Sequence, residues 1–65
     1  MEKITFNIWT CGDNRCRIEA NDCRSIYRKM SDGACICSID VMLFEMQRIS
    51  KEVEELGNVA CFVMA

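Results

Sequence analysis

The sequence predicts an α+β fold, a small antiparallel or mixed β-sheet with one long helix packed on one face. Three observations predict it. Apolar residues alternate near the N-terminus, they recur every three or four residues over 40–56, and they run almost unbroken over 59–64.

Ile4, Phe6 and Ile8 alternate with Thr5, Asn7 and Trp9, the period of two that sends successive side chains to opposite faces of a strand. Gly12-Asp13-Asn14 supplies residues that tolerate turn geometry, after which Cys16, Ile18 and Ala20 resume the alternation against Arg17 and Glu19. A β-hairpin over 3–20 follows. Residues 21–33 read two ways: Cys23, Ile26, Tyr27 and Met30 fit a short helix, while Ser25 to Met30 also alternates as a strand. Ser31-Asp32-Gly33 before the apolar Ala34 to Ile39 favours the strand and a second hairpin, with the short helix as the alternative.

From Asp40 the period becomes that of a helix, because Met42, Met46, Ile49, Val53 and Leu56 form one continuous stripe. Ser38 or Asp40 can cap its start, and Gly57 stands where a helix stops in left-handed geometry. The final strand, Val59 to Met64, has no polar residue on either face, which predicts a place in the middle of the sheet with both faces covered.

The 65 residues are expected to form a single domain, since a chain of this length buries only about 60% of the surface it exposes when unfolded. No apolar run approaches the roughly 18 residues of a membrane span. The first residues, Met1 to Phe6, lack the apolar core of a secretory signal, so a cytoplasmic location is expected. Charge is unevenly placed: residues 15–29 sum to +3 and residues 30–65 to −4, within a net −2. Such asymmetry bears on partners rather than on fold.

The six cysteines show no C-x2-C pair, and the chain has no His, so the usual ligand spacing of a structural zinc site is missing. The primary reading makes them small apolar core residues, reduced and without cofactor. Were zinc present, Cys11, Cys16, Cys35 and Cys37 would be its ligands. A Cys11–Cys16 disulfide would need an oxidising compartment.

Catalysis fails on inventory. The commonest general base is absent, no Ser, Thr or Cys has a base at a motif spacing, and three scattered Gly form no phosphate loop. The chain is therefore read as no enzyme. Arg15, Arg17, Arg24, Arg28 and Lys29 flank Tyr27, a mixture that could track a nucleic-acid backbone, but five cations in an acidic chain are weak support for direct contact.

The acidic residues are the odder feature, because Glu54 and Glu55 fall in the last turn of the long helix, where the macrodipole disfavours negative charge. Glu45, Glu52, Glu54 and Glu55 are the candidate partner-binding residues. Trp9, Tyr27 and Phe62 are a candidate second interface, with a homodimer as one outcome. The expected function is a small binding protein that occludes a surface of a partner protein, itself a nucleic-acid-binding protein or complex. In size and composition it is similar to inhibitors encoded by phages and mobile elements, anti-CRISPR proteins among them. The alternative is a cysteine-liganded zinc module contacting nucleic acid.

Overall fold

The computed structural model describes residues 1–10, 12–31, 35–36 and 38–65. The fold is α+β, with elements in the order β1 (Lys3–Thr10), β2 (Cys16–Ala20), α1 (Ser25–Ser31), β3 (Cys35–Ile36), α2 (Ile39–Glu55) and β4 (Val59–Met64). The strands form one mixed sheet in the order β3-β2-β1-β4, in which β1 pairs antiparallel with β2 and parallel with β4. β3 pairs antiparallel with β2, Ile36 opposite Cys16 and Cys35 opposite Arg17.

The hairpin forms as its alternation requires. Ile4, Phe6 and Ile8 of β1 and Ile18 and Ala20 of β2 are all buried on one face. Phe6 stands opposite Ala20, and Ile8 opposite Ile18. Between the strands, Gly12, Asp13 and Asn14 all take positive φ, at 77°, 51° and 58°. Gly and Asn or Asp are the residues that occupy this region most readily, which is why the turn falls there. Arg15 closes it by donating its N–H to the Gly12 carbonyl at 2.9 Å.

Both helices pack on the face that carries these buried residues. α2 opens with Ser38, whose hydroxyl accepts from the Val41 N–H at 3.3 Å. It ends in a Schellman arrangement: Gly57, at φ 81°, donates to the Glu54 carbonyl and Asn58 donates to that of Val53. Ile49 and Val53 reach the core, with Met42 and Met46 packed partly against it. Leu56 does not follow the stripe that predicts it. It lies at the cap, beyond the helical turns, and is 46% exposed.

Residues 25–31 are a helix, which corrects the strand favoured by their alternation. A strand would place Lys29 on the same face as Tyr27. The helix turns Tyr27 and Ser31 into the core and Arg28 and Lys29 into solvent. Of the expected turn at 31–33, Asp32 and Gly33 lie outside the described residues.

β4 is also displaced from its expected place. β2 occupies one side of β1, so β4 takes the remaining side and becomes an edge strand rather than a central one. Its register with β1 places Ala60, Phe62 and Met64 beside Ile4, Phe6 and Ile8 on the core face. Phe62 stacks on Phe6 with ring centroids 5.5 Å apart. Val59, Cys61 and Val63 fall on the opposite face, where no described helix lies. No described helix is long and apolar enough to cross a membrane.

Candidate binding surface

The two helices meet along one flank of α2. Arg48 sits at its centre, donating to Glu45 Oε2 at 2.6 Å, to Glu52 Oε2 at 3.1 Å and to the Met30 carbonyl of α1 at 2.9 Å. The hydrogen bond to Glu45, helped by the charges of Glu45 and Glu52, holds the guanidinium still further towards its protonated form. One side chain thus pins α1 against α2.

Beside this clasp the helices leave an open groove of about 370 Å³. Ile26 and Met30 of α1 and Leu56 at the α2 cap provide its apolar lining, with Glu52, Glu55, Lys29 and Arg48 around them. Ile26 and Leu56 are each 46% exposed. Helical spacing carries the same flank on through Phe44 and Val41, both exposed, towards the N-terminal end of α2. The surface therefore combines aliphatic and aromatic side chains with carboxylates, a composition able to seat an apolar anchor flanked by cations.

The four acidic candidates divide. Glu45 and Glu52 are engaged by Arg48, so part of their charge is already met within the chain. Glu54 and Glu55 are exposed, with Glu55 on the groove. Trp9, Tyr27 and Phe62 do not form one interface. Tyr27 is buried among the core residues, and its hydroxyl accepts from Asn58 Nδ2 at 2.6 Å. A phenol with a partner this far inside is a core anchor rather than a contact residue. Phe62 belongs to the core face, whereas Trp9, opposite Arg17, stands on the face where no described helix lies and is 42% exposed.

The cysteines are less buried than a core role predicts. Cys16 and Cys61 are half-buried and Cys23 is exposed. Cys16 sits where the hairpin ends, and Cys61 faces away from the helices, so neither is enclosed. Among the described residues no three His, Cys, Asp or Glu side chains converge. Cys11, Cys37 and the side chain of Cys35 lie outside the described residues, and with them the remainder of the zinc set and the Cys11–Cys16 pairing.

The basic residues are dispersed by local partners. Arg17 pairs with Glu19 at 3.1 Å, while Arg24 bridges Asp22 at 2.7 Å and Glu2 at 2.6 Å and lies over the Tyr27 ring. The Arg24 side chain, then its backbone N–H, hydrogen-bond the Asp22 carboxylate and lower its pKa from 3.8 to about 2. A depressed folded-state pKa contributes stability that is present above about 3.8 and lost as the pH falls through about 2. A carboxyl-detected NMR titration is expected to give Asp22 a midpoint of about 2 in the wild type. In Arg24→Met it should return to about 3.9. A wild-type midpoint near the latter value would contradict the arrangement.

Sequence reasoning missed Ile26, Val41, Phe44 and Leu56. A signal existed for two of them. Val41-Met42-Leu43-Phe44 is an unbroken apolar run inside a helix, and four successive positions at 100° steps cannot all face one core. Comparison with protein-family models, with curated proteins and with solved structures finds no match at any of the three levels.

Proposed function

We propose that this chain is a small non-enzymatic binding protein that occludes a surface of a partner protein, and that the contact is made by the α1–α2 flank. The observation that carries this reading is the open groove in which exposed Ile26 and Leu56 lie beside Glu52 and Glu55. Exposed apolar residues set among charges are characteristic of protein contacts. The partner that fits is a protein presenting an apolar side chain within a basic surface, as nucleic-acid-binding proteins do.

Charge would steer such an encounter and set its salt dependence, because exposed charges are screened beyond about 8–10 Å at physiological ionic strength. Replacing Glu52, Glu54 and Glu55 together by Gln should leave the fold intact. The Arg48–Glu52 pair is partly exposed and is worth roughly 0–1 kcal/mol. Side-by-side capture from a host lysate, with wild type and triple variant as baits, checks the reading. A specific protein is expected on the wild type and depleted on the variant. Equal capture by both would remove the acidic flank from the contact.

A further inference from the structure

We infer that β4 is a self-recognition edge, through which two copies of this chain pair antiparallel about a two-fold axis at Phe62 to form one continuous sheet. The backbone sets the register. Val59 donates its N–H to the carbonyl of Glu2, just before β1, and Ala65 donates to that of Ile8 in β1. Alternation along the strand then turns the N–H and C=O of Ala60, Phe62 and Met64 to the open edge. A row of unpaired backbone groups is a template for another strand. Edges are normally protected by charge, Pro or brevity, yet Val59–Met64 has six residues, no charge and no Pro.

Several features select a second copy as the occupant. When the edge-directed residues pair, Phe62 falls opposite Phe62 and Ala60 opposite Met64, so the smallest side chain of the core face meets the largest exposed one. Met64 is 65% exposed. The placement of α2 supplies the complementary shape. It leaves β3 at one edge and delivers β4 at the other, so it crosses the sheet diagonally. Its C-terminal half is delivered to the Val59 end of β4, leaving the Met64 end open beside Ile39 and Met42. An antiparallel copy brings the C-terminal half of its own α2 to that end. A helix is about 10 Å wide and neighbouring strands are about 4.8 Å apart, so a helix over one edge strand overhangs the next.

The charges agree with this occupant. Glu54 lies on the same stripe of α2 as Ile39, Leu43 and Ser50, about a third of a turn round from Arg48 and on the flank away from α1. Within one chain Glu54 sits at the unfavourable, negative end of the helix dipole. In the antiparallel pair it lies near the other copy's α2 N-terminus, where the dipole favours a carboxylate. An acidic helix end that is unfavourable alone becomes complementary in the pair.

Sedimentation equilibrium combined with amide hydrogen exchange tests the pairing. At tens of micromolar the wild type is expected at about 15 kDa, twice its 7.5 kDa chain mass, with Ala60 and Phe62 amides protected. Met64→Lys, at an exposed position, should weaken association at least tenfold and restore free exchange at those amides. Its circular dichroism should stay that of the wild type. A wild-type monomer at these concentrations would overturn the proposal, as would a dimer in which Ala60 and Phe62 exchange freely or which Met64→Lys leaves unchanged.

Discussion

Phe6→Ala is expected to cost about 3–5 kcal/mol, the range for removing a fully buried aromatic ring. Phe6 has no exposed surface, lies at the middle of the central strand β1, and stacks on Phe62. Its loss would strip the contact that seats β4 while opening a cavity beneath both helices. At the usual 0.05–0.15 kcal/mol per residue, a chain of 65 residues has a total stability of roughly 3–10 kcal/mol. A large part of the population should therefore unfold. Urea titration followed by far-ultraviolet circular dichroism reads this directly. A stability loss under about 1 kcal/mol would mean that Phe6 is not the keystone of the core.

Ser31→Ala is expected to cost about 1–3 kcal/mol, a large effect for the removal of one oxygen atom. The reason lies in the backbone donor that the hydroxyl serves. At the end of β2 the Ala20 N–H is met by a side chain from the neighbouring helix rather than by a backbone carbonyl of β1. The buried Ser31 hydroxyl, carried in from α1, accepts from it at 3.3 Å and itself donates to the Arg28 carbonyl at 3.2 Å. The alanine leaves a buried donor unpaired, and the cost is mainly that of its desolvation. Chemical denaturation measures the loss, and amide exchange should show Ala20 deprotected ahead of the rest of β2. An unchanged Ala20 amide would contradict the role given to the hydroxyl.

These two residues show what the sequence could and could not reveal. Phe6 was legible, because strict alternation over Ile4, Phe6 and Ile8 has one structural solution. The same holds for α2, where stripe, Ser38 cap and Gly57 stop all agree. Ser31 was not legible. Its role depends on the Ala20 N–H of β2 being brought against it, a fact of tertiary arrangement. Residues 25–31 satisfied helix and strand periodicity alike, and burial of Tyr27 with its Asn58 partner decides between them. For β4, apolar composition signalled burial of both faces, but pairing order rather than composition determines which strand is central.

The candidate surface was half legible. Acidic residues late in α2 stand out in the sequence because they oppose the helix dipole, and Glu55 does border the groove. The capture of Glu45 and Glu52 by Arg48 required the three-dimensional clasp onto Met30. The apolar part of the surface came from residues that a stripe argument assigns inward, as with Leu56, or leaves undecided, as with Ile26. Tyr27 moved the other way, from candidate contact to core. Aromatic character alone does not distinguish an anchor in the core from one on the surface.

The measurement that bears most directly on the proposed function is the affinity of the captured partner for wild type and for Ile26→Glu/Leu56→Glu, by titration calorimetry. Both positions are half exposed, so the double variant should keep the wild-type melting midpoint. Two added carboxylates in the apolar lining should then weaken binding at least tenfold, about 1.4 kcal/mol. An affinity equal to that of the wild type, with the fold intact, would contradict the assignment of the α1–α2 flank as the binding surface.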